Sequence, residues 1–134
     1  MHFTLIDRVL EQSETRIVAI KQVSNAEEYL QDHFPTFPVL PGVMMVEAMV
    51  QAARLLLPDA DLPWVLAEAR ALKYGAFVRP GAVLRVEIDL AGTPTDERAE
   101  FKAKALLLEP GADPASAPTA CAGRLALRPA RPAA

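Results

Sequence analysis

The sequence predicts an α+β domain in which a mostly antiparallel sheet wraps around one long helix. Three observations carry that reading. The run from Val43 to about Leu56 is apolar everywhere except at Glu47, Gln51 and Arg54, and a helix apolar nearly all round is buried on most sides. Four later segments, 64–74, 83–90, 98–108 and 119–127, have strand character. Among them Leu84-Arg85-Val86-Glu87-Ile88-Asp89-Leu90 alternates cleanly, as a sheet with one wet face requires. No regular alternation of strands with helices supports a parallel sheet.

Each element has its own local reason. Residues 15–23 are rich in β-branched side chains and partly alternate, which predicts a strand. Asn25 reads as the N-cap of a short helix over 26–30, with Glu27 and Glu28 in the first turn where the helix dipole favours negative charge. Pro35, Pro38 and Pro41 then forbid a regular helix and stiffen the segment from His33 to Gly42. Pro41 suits the start of the long helix, where a missing N–H matters little. The breaks between the later strands hold Gly and Pro: Arg79-Pro80-Gly81, Gly92-Thr93-Pro94 and the Ala- and Pro-rich stretch 110–118. That last break predicts a mobile hairpin tip, and 129–134 a frayed tail after a single domain over 1–128.

With 134 residues, 51% of them hydrophobic and 23% charged, the chain has enough apolar surface to fold without a disulfide or metal. The net charge of −3 argues against nucleic acid as a partner. The lone cysteine, Cys121, excludes an intrachain disulfide and a thiolate zinc site, and reads as a small strand residue. The longest apolar stretch, Val43 to Leu57, falls short of the ~20 residues a membrane span needs. The first residues lack a basic start followed by an apolar core, so a cytoplasmic location is expected.

Glu47 is the residue most informative about chemistry. It lies in the most apolar helix of the chain, and a carboxyl buried in such a setting keeps its proton more readily, as a general acid must. Gln51, four residues on, shares its helix face and is within hydrogen-bonding reach. A structural pairing of Glu47 with Arg54 or a strand residue is the competing reading. His33 opens the stiffened segment and is a candidate base; His2 has no such context. The two histidines form no metal-ligand spacing with Glu47. At the helix start the first backbone N–H groups, at Gly42 and Val43, lack intrahelical partners and carry partial positive charge. Gly42 has no side chain, so a carbonyl oxygen could approach closely, giving an oxyanion site one turn from Glu47.

His33-Phe34-Pro35, then Pro38-Val39-Leu40-Pro41-Gly42-Val43, then Glu47-Ala48-Met49-Val50-Gln51-Ala52 resembles the signature of the 3-hydroxyacyl-acyl-carrier-protein dehydratases of the FabZ type. Leu5-Ile6-Asp7-Arg8-Val9 is similar to that family's opening strand. The resemblance covers most of the chain to about Leu90, more loosely afterwards. It implies a hotdog fold, two chains joined sheet edge to sheet edge, and an active site at their interface. It implies that a histidine from one chain removes a C2 proton. A glutamic acid from the other helps the C3 hydroxyl leave, and backbone N–H groups polarise the thioester carbonyl. These roles fall on His33, Glu47 and Gly42, with no metal, nucleotide or other cofactor. The implied partners are an acyl carrier protein and further copies of the chain, as a homodimer or a trimer of dimers, in fatty acid or related lipid synthesis.

The sequence departs from the family at three places. Thr36 replaces the glycine after His-Phe-Pro, and the hairpin at 110–119 is longer. In the family's basic strand, paired arginines become Gly75 and Ala76 and the acid after Pro-Gly becomes Ala82, leaving Lys73, Arg79 and Arg85 to meet a carrier. Met44, Met45 and Met49 lie along the helix beside Glu47 and are candidates to line an acyl tunnel, with ordinary core filling the alternative for each. Two other activities stay open at this stage, a hotdog thioesterase and a non-catalytic acyl-binding subunit.

Overall fold

A computed structural model describes residues 4–24, 39–58 and 62–130. Strands β1 (Arg8–Gln12) and β2 (Arg16–Gln22) form a hairpin, followed by helix α1 (Gly42–Arg54). Strands β3 (Trp64–Tyr74), β4 (Val83–Ala91), β5 (Ala99–Leu108) and β6 (Thr119–Pro129) complete one sheet, in the order β1-β2-β4-β5-β6-β3. Every neighbouring pair is antiparallel. The expected short helix over 26–30, His33 and Thr36 lie outside the described residues.

The sheet turns one face to α1. Ile17, Leu84, Val86, Ile88, Phe101, Ala105, Leu125 and Leu127 are fully shielded and pack against the helix. Ala48, Ala52 and Ala53 are the reason the helix sits so close: their small side chains let its backbone approach the strands, while Met45, Met49 and Val50 fill the remaining space. Beyond Arg54 the chain tightens, with Leu55, Leu56 and Leu57 N–H groups donating three residues back.

Four details differ from the sequence expectation. The helix is not apolar all round. Val43, Glu47, Gln51 and Arg54, spaced four, four and three apart, form a stripe turned away from the sheet, and Val43 is 70% exposed. The first hairpin adds β1 as an edge strand over 8–12, later than the opening segment 5–9. Ser13 makes its turn, its hydroxyl accepting from the N–H groups of Thr15 and Arg16. The tip between β5 and β6 holds a 3-10 turn, Pro114–Ser116, capped by Asp113, whose carboxylate accepts from Ala115 N–H at 3.0 Å. The expected tail begins on the sheet: Pro129 pairs with Trp64, and Ala130 N–H donates to Pro63 at 2.7 Å.

Candidate active site at the start of the helix

Helix α1 begins without a side-chain cap, since Pro41 is its N-cap residue and its first turn holds no acid. Pro41 carbonyl accepts from Met44 and Met45 N–H at 2.9 and 3.2 Å. Among the described residues the N–H groups of Gly42 and Val43 meet no acceptor, so the partial positive charge there is uncompensated.

Beside this helix end lies a cleft of about 180 Å³, lined by Val39, Leu40, Gly42, Met45, Tyr74 and Phe77, with Gly75, Ala76 and Ala120 behind. Its apolar walls follow from two crossing segments, tied where Leu40 N–H donates to Val78 at 2.7 Å. Gly42 also gives room to a neighbouring side chain. A Cβ on it would lie 2.7 Å from Cε1 of Tyr74, so the missing side chain makes room for that ring. Burial pushes the Tyr74 phenol above its usual value, helped by the neighbouring Cys121; burial likewise raises the Cys121 thiol. Both stay neutral at physiological pH.

Glu47 sits one turn beyond Val43. Gln51 Nε2 donates to its Oε1 at 3.3 Å, and Arg54 Nη1 lies 4.0 Å from the same oxygen. The carboxyl therefore has both partners that the sequence left as alternatives. Gln51 is itself oriented, because its own Oε1 accepts from Leu5 N–H at 2.7 Å. Arg54 is held through Nε, which donates to the Trp64 carbonyl at 2.8 Å. The expected burial of Glu47 is not met within one chain: its side chain is 42% exposed, since it belongs to the stripe that faces away from the sheet.

The three methionines part company. Met45 lines the cleft. Met49 is wholly inside the core, and Met44 packs on that core from the half-exposed side. The expected cationic patch does not assemble. Lys73 on β3 and Arg85 on β4 are separated by β5 and β6, about 14 Å at the usual strand spacing. Arg85 is committed to Glu87 at 2.9 Å. Arg79 lies two residues past Phe77, which lines the cleft.

Gly75 explains one departure from the family pattern: any Cβ there would run into the carbonyl oxygen of Thr119, so this backbone has no room for an arginine. Tyr74 and Phe77 were not singled out from the sequence. The available signal was an aromatic pair flanking Gly75-Ala76 at a strand end, one ring 54% and the other 67% exposed. Among the described residues no group of His, Cys, Asp and Glu side chains is arranged to hold a metal, and no helix is long and apolar enough to cross a membrane.

The 3-hydroxyacyl-[acyl-carrier-protein] dehydratase FabZ of Variovorax paradoxus is 36% identical over 113 residues, 78% of this chain and 75% of that protein. Its namesake in Solibacter usitatus is 44% identical over 93 residues, 66% of this chain. The chain spans only 57% of that relative's length. A solved structure titled the dehydratase heterocomplex ApeI:P, from Xenorhabdus doucetiae, has the same fold at TM-score 0.67. It is 17% identical, with 95% of this chain and 99% of that one covered. A hypothetical thioesterase protein from Streptococcus pneumoniae, solved with coenzyme A, shares the fold at TM-score 0.65 and 10% identity, covering 92% of this chain and 84% of that one. Residues 9–107 match the family described as ApeI dehydratase. The chain belongs to the ApeI-like dehydratase family, with a hotdog fold.

Proposed function

We propose that the protein eliminates water from a 3-hydroxyacyl thioester carried by an acyl carrier protein, giving the trans-2-enoyl thioester in fatty acid or related lipid synthesis. One observation carries this reading. A carboxyl, Glu47, lies one turn from an uncapped helix N-terminus that borders an apolar cleft, in a chain of this family.

The roles divide as follows. His33 takes the C2 proton, and the electrons of that C–H bond form the C2–C3 double bond. The C3–O bond breaks as Glu47 gives its proton to the departing hydroxyl, which leaves as water. Charge developing on the thioester oxygen is met by the N–H groups of Gly42 and Val43. Gln51 orients the Glu47 carboxyl. His33 ends protonated and Glu47 ionised, and one proton passed between them resets the site. Acid, base and oxyanion donors suffice, so the step calls for no metal or cofactor.

Two chains make the site in this reading, as a homodimer or a trimer of dimers, with His33 from one and Glu47 from the other. Support comes from β3, an eleven-residue edge strand that is mostly exposed. A carrier-borne substrate also places the enzyme in the cytoplasm. Arg79, exposed and two residues past Phe77 of the cleft, is the cation that meets the carrier in this reading.

Incubation with 3-hydroxyacyl carrier proteins of several chain lengths, followed by mass spectrometry, is the test. Loss of one water with the thioester intact supports the proposal. A free thiol would identify a thioesterase, and no turnover at any length a non-catalytic acyl-binding subunit.

A further inference from the structure

The outer face of the sheet, opposite α1, carries a second concavity, of about 440 Å³. Two adjacent cross-strand rows build it. One runs Arg16–Asp89–Lys102–Arg124–Arg70 through β2, β4, β5, β6 and β3. The next runs Val18–Glu87–Lys104–Ala122–Lys73. Residues directly opposite one another in a sheet share a face, so these charges crowd one surface.

Both ends of these rows hold paired charges, since at the β3 edge Arg70 meets Glu68 and Glu100 at 3.4 and 3.3 Å. Arg16 pairs with Asp89 at 2.8 Å and with Glu87 at 3.4 Å, and Arg85 and Lys104 also reach Glu87. At the other end Lys73, Lys102 and Arg124 are exposed, and among the described residues none of them reaches a carboxylate. Lys102 and Arg124 stand directly opposite each other, and Arg124 faces Arg70 in turn. Like charges in that relation destabilise a sheet. The floor between them is main chain and small side chains: Ala71, Ala122 and Gly123. Ala71 has φ +54°, inside an irregularity of β3, and Gly123 is bare because Leu72 and the Arg70 carbonyl occupy the space of a Cβ.

We propose that Lys73, Lys102 and Arg124 bind the phosphate group of a small ligand, at a site separate from the cleft at Gly42. Glu87 and Asp89 line the far side of the concavity, already paired with Arg16 and Arg85, and none of the three cations reaches a described carboxylate, so three cations around one small-residue floor call for more charge than one carboxylate carries. A phosphate monoester brings a charge near −2 and three strong acceptor oxygens. Arg124 offers a planar fork of donors and the two lysines offer compact charges.

Calorimetric titration of the full chain with inorganic pyrophosphate at low ionic strength tests the site. Arg124→Gln and Lys102→Gln are each expected to weaken binding about tenfold, the change expected from losing one charge-assisted hydrogen bond. Arg8→Gln, the same charge change on distant β1, leaves it within about twofold by the same reasoning. Thermal melts of Arg124→Gln should match or exceed the parent, since it loses two like-charge neighbours, while Lys102→Gln should melt close to the parent, since it loses Arg124 and Asp89 alike. Absence of pyrophosphate binding, or equal weakening by Arg8→Gln, overturns the proposal. So does binding of an acidic protein that needs Arg124 while pyrophosphate does not bind. The readout is binding and not turnover, so it stands apart from the dehydratase reading.

Discussion

At the scale of single residues, Glu47 and Glu87 show what position does to a carboxyl. Glu47 lies on the outward stripe of the helix, held by Gln51 and Arg54. Its exposure means that Glu47→Gln removes a proton donor and little packing. Turnover should drop by about 10²–10⁴-fold, with a melting temperature close to the parent's, and the same loss is expected for His33→Ala. A steady-state assay beside a thermal melt separates this from unfolding; near-parental rate in either variant would remove that residue from the mechanism. Glu87 sits on the sheet. Burial works against its charge, but the hydrogen bond from Arg85 and the charges of Lys104 and Arg85 outweigh it and hold the carboxyl below its usual range. A carboxyl depressed on folding adds stability above its unfolded value, near 4.3, and loses it as pH falls through the folded value. Melting temperature should therefore fall below about pH 4 in the parent, and fall less steeply in Glu87→Gln. Parallel curves for the two proteins would show that Glu87 carries none of the acid sensitivity.

At the scale of elements, legibility followed periodicity. The later strands and the helix were readable because their apolar residues repeat at two or nearly fill the segment, and each was found within one or two residues. β1 was not readable that way, because all five of its residues are exposed and Arg-Val-Leu-Glu-Gln has no clean alternation. Nor was the seat of Tyr74 over Gly42, which joins the end of β3 to the start of α1 across more than thirty residues. The sequence marked Gly42 as a place of close approach, and the ring that approaches it comes from a strand that spacing alone could not bring there. The methionines illustrate the same limit: helical spacing put all three near Glu47, and only packing separates Met45 from Met49. Two variants test that division. Met49→Ala opens a hole in the core and should cost about 2–5 kcal/mol of stability by denaturant titration. Met45→Ala should cost less and should shift the chain-length profile of kcat/KM towards longer acyl groups, because it enlarges the cleft. A profile unchanged from four to ten carbons would show that the acyl chain does not run past Met45.

At the scale of the whole molecule, a site shared between two chains makes a quantitative prediction. Mixed and re-equilibrated, inactive His33→Ala and Glu47→Gln proteins would exchange partners. Random pairing makes half of the dimers mixed, each with one intact site of two, so activity should return to about a quarter of the parent's. If both residues act within one chain, the mixture stays inactive, and light scattering on the same samples reports whether a dimer is present.

The strand order has a consequence for biosynthesis. β3 is made before β4 and β5, but among the described residues its strand partner is β6, where Trp64 pairs with Pro129 and Tyr74 with Cys121. Such distant pairings are slow to form and cannot begin until the later strand exists. On the ribosome, β3 has helix α1 to rest on but must wait through the synthesis of β4 and β5 before it gains a strand partner. In the proposed two-chain arrangement, each chain would therefore present that edge in its final form only once its last strand is made.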